Sequence, residues 1–352
     1  MTSATPSMRA VFLTGHGGNA MVEIGERPMP ERRPGEAMVR ILGAGLNRVD
    51  LYMRDSGAGI THKLPLIMGL DGAGEIVDLD AAEPRLKLGQ KVIVHPGVGC
   101  GRCEFCQRGE HVLCTSMQLM GEHRDGLLCD YVSVPVQNVF PMPAGFDVVE
   151  AACLGTAPLT AWRMVFTKAR VQPHESVLIF GIGGSVSLSA LRFVKMTGAR
   201  AIVTSRDPRK RDRALALGAD AAIDGTGVDI AGRVMELTDG RGVDVVIENV
   251  GEAVWPFALK SLVRGGRIVT CGATSGDRPS ADLRRMFIRQ LQVLGSTHGT
   301  FAEFSSLLAV CGRGLFRPIM DSRFPVGQAH AALDRLEQGA QFGKVGIEMT
   351  DW

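Results

Sequence analysis

From Met8 to about Phe140 the apolar residues come in short runs, at 10–13, 37–42, 74–77, 91–94 and 131–134, each cut off by Gly, Pro or charged residues. Runs of four to six residues with that punctuation predict a mainly β region. From about Ala157 the texture changes. A helix-length segment at 159–168 is followed by strand-length apolar runs at 176–180, 201–204, 221–223, 243–248 and 267–271, with helical spacing between them at 188–196, 208–217, 230–237 and 255–262. Strand and helix in strict alternation predict a parallel sheet covered by helices, a doubly wound α/β domain. After about His298 two amphipathic helices (302–310, 328–338) and a closing strand (343–348) are expected, and this tail is read as returning to the first domain. The predicted organisation is one domain from 1–156 and 298–352, and a second from 157–297.

Composition narrows the partners. The chain of 352 residues balances 39 basic against 37 acidic side chains, a net charge of +2, so no strong field favours nucleic acid or a membrane surface. A small-molecule substrate fits better. No apolar stretch reaches the length of a membrane span, and residues 1–8 lack the cationic and apolar segments of a signal peptide. The eight cysteines are one cluster of four plus Cys129, Cys153, Cys271 and Cys311 far apart, which suits a reducing, cytoplasmic location.

That cluster is the strongest local signal. Cys100, Cys103, Cys106 and Cys114 are spaced C-x2-C-x2-C-x7-C, and four soft thiolates at such spacing suit one tetrahedral Zn2+. With every position filled by sulfur the ion holds a loop and does no chemistry. An iron–sulfur cluster or scattered core cysteines are the competing readings. His111 in the same lobe is read as a solvated loop histidine rather than a ligand.

The predicted strand at 176–180 runs into Gly181-Ile182-Gly183-Gly184-Ser185-Val186-Ser187 and then a helix. Backbone N–H groups at such a turn are placed to receive a pyrophosphate. Past the next strand stand Thr204-Ser205-Arg206, with Lys210 behind them, where an NAD-binding loop carries an acid. A hydroxyl and cations there suit a 2′-phosphate, so NADPH is the expected cofactor, held by Gly181, Gly183, Gly184, Ser185, Val186, Ser205, Arg206 and Lys210. The competing reading has Asp207 binding NADH or capping the helix, and the cations solvated.

A β-rich first domain, a four-cysteine lobe and a nucleotide domain together resemble the zinc-containing alcohol dehydrogenase, or medium-chain dehydrogenase/reductase, superfamily over nearly the whole chain. Residues 65–75 resemble its G-H-E-x-x-G segment, 97–114 its structural-zinc lobe and Gly343-Lys344-Val345 its closing strand. The resemblance implies a GroES-like domain and a Rossmann domain, and a homodimer or homotetramer, with an edge strand at 291–295 as the dimer contact. It also implies that Thr160, Asn249, Gly272, Ala273, Thr274 and Lys344 lie round the cofactor. For Lys344 a surface position is the alternative.

The chain departs from zinc-dependent members where they hold their catalytic ion: those three positions fall on Asn47, Leu70 and Thr156, and the acid of the motif is Asp71. The stretch Asn47-Arg48-Val49-Asp50-Leu51-Tyr52-Met53-Arg54 instead resembles the N-x-x-D-x-Y-x-R segment of quinone-oxidoreductase-like members. That resemblance implies metal-independent reduction of a quinone or an activated C=C bond, an enone or enoyl thioester, with Asn47 and Tyr52 as candidate catalytic groups. In the alternative for this pair, Asn47 ends a strand and Tyr52 packs at the surface. Asp50 is expected to cap a helix and Arg54 to be a phosphate or surface residue. Two rival functions remain: an alcohol or polyol dehydrogenase that rebuilds a zinc site from Asp71, Cys153 or a histidine, and a protein that binds NADPH without turnover.

Overall fold

A computed structural model of the chain describes residues 6–80, 83–227 and 229–352. Residues 1–5 of the N-terminal stretch considered above lie outside that range. The chain forms two compact units, Met1–Thr156 with Thr300–Trp352, and Ala157–Gly299. Among the described residues no helix is long and apolar enough to cross a membrane.

The first unit is built on a seven-stranded sheet in the order Val139–Pro141, Lys91–Val94, Asp71–Asp78, Glu36–Leu46, Lys344–Glu348, Met320–Pro325, with Tyr131–Pro135 also paired to Glu36–Leu46. A three-stranded sheet, Val22–Pro28, Ser7–Leu13 and Leu66–Ile67, packs with it round one apolar core that includes Val11, Val39, Ile41, Val92, Val94 and Ile347. Alternating inward residues explain this core. Sheet register brings chemistry together: Asp71 opens its strand opposite Gly45, and Leu46 pairs with Val345, so Asn47, Asp71 and Lys344 all fall at one end of three adjacent strands. Gly45 must be small there, because a Cβ would meet Cys153 Sγ at 2.7 Å and crowd Asp71 and Lys344.

The second unit is a six-stranded, all-parallel sheet in the order Ala221–Asp224, Arg200–Ser205, Ser176–Ile179, Val243–Glu248, Leu262–Thr270, Gln292–Gly295. The buried strands Ser176–Ile179 and Val243–Glu248 are near-continuous apolar runs, as a sheet covered on both faces requires. This is the doubly wound order of a dinucleotide-binding fold.

Three expectations are corrected. The helix expected over 159–168 begins as Ala157–Trp162 and then widens into a π-helical segment, Arg163–Ala169. His111 is buried rather than solvated, stacked on Phe301 with ring centroids 3.8 Å apart, and His95 packs edge-on to the same ring. Arg54 is neither a surface nor a phosphate residue: it is 2% exposed and holds Asn19, Asp55 and Glu337.

Candidate functional site

In the first unit the lobe after Gly97–Val98 brings Cys100, Cys103, Cys106 and Cys114 together, their sulfurs all within 4.8 Å of one another. Backbone amides of Cys100 and Ser116 donate to Cys114 Sγ, and that of Cys103 to Cys100 Sγ, at 3.2–3.4 Å. N–H groups aimed at sulfur favour thiolates, so the donor set fits a zinc ion that closes the lobe. Among the described residues this is the one group of three or more Cys, His, Asp or Glu side chains so arranged.

The second feature of this unit is a buried polar cluster. Lys344 is 1% exposed, and its ammonium donates to Asp71 Oδ2 (2.6 Å), Leu46 O (2.7 Å) and Asn47 Oδ1 (2.8 Å). Asn47 Nδ2 in turn donates to the same Asp71 oxygen at 3.0 Å. The amide of Asn47 is therefore fixed in one orientation, with one N–H left over. Burial opposes the charge on Lys344, but Asp71, Cys153 and Asp50 together outweigh it and the lysine pKa is raised. The ammonium persists at every physiological pH, and its stabilisation is lost only as pH rises through that raised value. Lys344 is thus an internal cation and not a surface lysine, and its three donors are all engaged by Leu46, Asn47 and Asp71.

Asn47 ends the strand Glu36–Leu46 and caps the helix Arg48–Ser56, where Asp50 reaches back to accept the Asn47 N–H at 2.7 Å. Such a reciprocal cap fixes the chain at the corner. Burial pushes Asp50 up to about 7, against the pull of that N–H and of Lys344. Tyr52 lies in the second turn, partly buried. Leu70 is buried beside Asp71, and Cys153, fully buried, has its thiol pushed up to about 12.

In the second unit the strand Ser176–Ile179 leads into a loop where Gly181 and Gly183 have φ of +68° and +116°, conformations that favour glycine. A Cβ on Gly183 would strike Lys210 Cδ at 2.7 Å, so the lysine side chain lies over the loop. Ser185 and Val186 start the helix Ser185–Thr197, whose N-cap, Gly184, gives no side-chain hydrogen bond. The N–H groups of a helix start can cradle a phosphate. Asn249 donates to Ser187 Oγ at 3.0 Å, and Thr274 donates to Asn249 O at 3.4 Å. Gly272 packs where a Cβ would stand 3.0 Å from Asn249 O. The loops carrying Asn249, Gly272, Ala273 and Thr274 therefore interlock at the carboxyl ends of their strands. At the end of Arg200–Ser205, Ser205 Oγ accepts the Asp207 N–H, and Asp207 caps the next helix by accepting from Arg209. Arg206 is exposed, whereas Arg211 is held by Ser205 O and Asp224. Thr160 is buried in the helix Ala157–Trp162.

A GroES-like β unit with a thiol lobe and a parallel-sheet unit with a nucleotide cradle define a two-domain oxidoreductase class. Comparison with known proteins agrees. Residues 33–144 match the family described as alcohol dehydrogenase GroES-like domain, and residues 185–312 the family described as zinc-binding dehydrogenase. A solved NAD-dependent alcohol dehydrogenase is 36% identical with a TM-score of 0.93, covering 97% of this chain and 100% of its own. An alcohol dehydrogenase of Geobacillus stearothermophilus is 28% identical over 332 residues, 94% of this chain and 96% of that protein. An NAD-dependent alcohol dehydrogenase of Sulfurisphaera tokodaii is 27% identical over 343 residues, 92% and 97% of the two chains. The chain belongs to the medium-chain dehydrogenase/reductase superfamily and is an oxidoreductase.

Proposed function

We propose that the protein is an NADPH-dependent oxidoreductase that delivers hydride to a quinone or an activated C=C bond, an enone or enoyl thioester, without a catalytic metal. The observation that carries this reading is the Asn47–Asp71–Lys344 cluster. Asp71, the acid available to a metal, is bonded to an ammonium at 2.6 Å, and its neighbour Leu70 offers only an alkyl chain. An amide, an alkyl group and a lysine-paired carboxylate do not fit a zinc ion, which takes thiolate, imidazole or free carboxylate. A bound nicotinamide dinucleotide supplies the hydride. The spare Asn47 N–H, held by Lys344 and Asp71, is suited to stabilise the oxyanion that develops on an acceptor carbonyl.

Asp207 is engaged in capping a helix through Oδ1, while Ser205, Arg206 and Lys210 supply a hydroxyl and cations. That arrangement supports NADPH. Replacing Arg206 and Lys210 together by Ala is expected to raise KM for NADPH by about 10- to 100-fold and leave that for NADH nearly unchanged. Steady-state kinetics with both cofactors decide this.

The names of the relatives favour a second reading, a zinc-dependent alcohol dehydrogenase with unusual ligands. Purified protein assayed with NADPH against quinones, enones, enoyl thioesters and simple aldehydes separates the two. Turnover of quinones or activated alkenes supports the first, and turnover confined to aldehydes supports the second. Oxidation of NADPH by no acceptor supports the binding-only alternative.

The exposed Leu283, Phe287, Ile288 and Val293 lie on the helix Leu283–Arg289 and the edge strand Gln292–Gly295. An apolar edge of this kind calls for cover, and a homodimer is the proposed state. Light scattering is expected to give twice the chain mass, falling to one chain mass for Val293→Lys.

A further inference from the structure

Among the described residues the first unit buries three carboxyl groups, Asp71, Asp50 and Glu122. Asp71 takes Lys344. Asp50 has one oxygen on the Asn47 N–H and its other oxygen, Oδ1, sealed without a hydrogen-bond partner. The third, Glu122, is 6% exposed; its backbone N–H donates to Leu119 O at 3.2 Å, but among the described residues its carboxyl makes no hydrogen bond. His123 stands beside it, with Nδ1 4.0 Å from Oε2, but that nitrogen accepts the Leu119 N–H at 3.2 Å and so offers no proton to the carboxylate. Burial, helped by His62 beyond it, lowers the pKa of His123, so this ring is no counter-cation either. Among the described residues, then, the Glu122 carboxyl has no cation paired with it. Burial, and then the charge of Asp50, raise its pKa to about 7.

The position of Glu122 is built into the fold. It sits in the turn after Gln118–Leu119, where Gly121 has φ +77° and a Cβ would lie 2.8 Å from Gly69 O. Leu127 N donates to Gly69 O and Leu128 N to Met68 O, both at 2.9 Å, which seats the loop on the Gly69–Leu70–Asp71 turn. The Glu122 side chain keeps 8% of its surface accessible, enough for an O–H to meet a bound molecule, and His123, 32% accessible, stands beside it toward solvent.

Resting on the reading of hydride transfer to an activated alkene, we propose that Glu122 is the proton donor of the reaction. The acceptor gains hydride at its β-carbon from the reduced nicotinamide, and the displaced electron pair moves to the carbonyl oxygen as an enolate. The α-carbon then takes the proton of the Glu122 carboxyl, leaving Glu122 as carboxylate. Solvent returns the proton, so the sum is reduced cofactor, a proton and alkene going to oxidised cofactor and saturated product. A buried acid with no internal partner is suited to this, because it stays protonated near neutral pH and no protein bond must break to release it.

The test uses the zinc-loaded enzyme and its Glu122→Gln, Glu122→Asp and Tyr52→Phe variants with an enone and with a quinone. Glu122→Gln is expected to lower kcat with the enone by about 100-fold or more. The quinone, whose reduced anion is protonated readily by water, is affected less. In the wild type, kcat/KM for the enone falls as pH rises through about 7. Glu122→Gln loses that limb, and Glu122→Asp restores part of the rate. Independently of turnover, an infrared titration of the wild type shows two carboxyls losing their protons near that pH, Asp50 and Glu122, and Glu122→Gln retains only one of them. Equal enone rates and pH profiles in wild type and Glu122→Gln, or loss of the limb in Tyr52→Phe instead, would overturn the donor role alone. A wild type that reduces no acceptor would bring down the functional reading and the donor role with it.

Discussion

Lys344→Met is expected to destabilise the protein by about 3–5 kcal/mol, the usual result of removing one partner from a buried ion pair. Asp71, fully buried, would keep a charge with no cation beside it, and Asn47 Oδ1 would lose its donor. Combining Lys344→Met with Asp71→Asn restores much of the stability, since both charges then leave together. Chemical denaturation of the wild type, both single variants and the double variant checks this. Additive losses would mean that the 2.6 Å contact contributes no coupling. Activity separates from stability here: even where the double variant folds well, Asn47 is no longer oriented, and turnover stays low.

Cys103→Ser is expected to empty the thiol lobe and lower the unfolding midpoint by on the order of 5–10 °C. Three sulfurs and a hydroxyl bind zinc far more weakly than four thiolates. The lobe has little else to hold it: among the described residues its regular structure is the two-residue pair Gly97–Val98 with Gln118–Leu119 and short single turns. Its apolar anchor is His111 on Phe301 and His95. Loosening that contact exposes the start of the helix Phe301–Gly312, so the effect spreads beyond the lobe. Zinc content and thermal melts of wild type and variant, measured side by side, test it. An unchanged midpoint in a zinc-free variant would mean that the lobe folds without metal.

The alternating half of the chain was the more legible. The strand at 243–248 and the helix at 230–237 occur at the residues their patterns predict, because burial on one or both faces leaves a direct trace in residue type. The helix Arg48–Ser56 was not predicted as an element. Its inward residues include Asp50 and Arg54, so its buried side does not read as apolar. The Asn47-x-x-Asp50 cap was the signal available. That Lys344 is internal and not at the surface is not legible locally, because its strand's register against Leu46 is a long-range property that no local pattern carries. Glu122 was passed over for the same reason: a loop acid looks solvated until the fold packs Gly121 onto Gly69. The four cysteines were legible because metal spacing is written within fifteen residues of sequence.

The most direct measurement is the zinc content of fully active protein by elemental analysis, with turnover of an enone or quinone followed on the same sample. One zinc ion per chain, together with undiminished turnover, is the predicted result, since the four thiols account for it. Two zinc ions per chain, with activity that disappears as the second is removed by a chelator, would contradict the account.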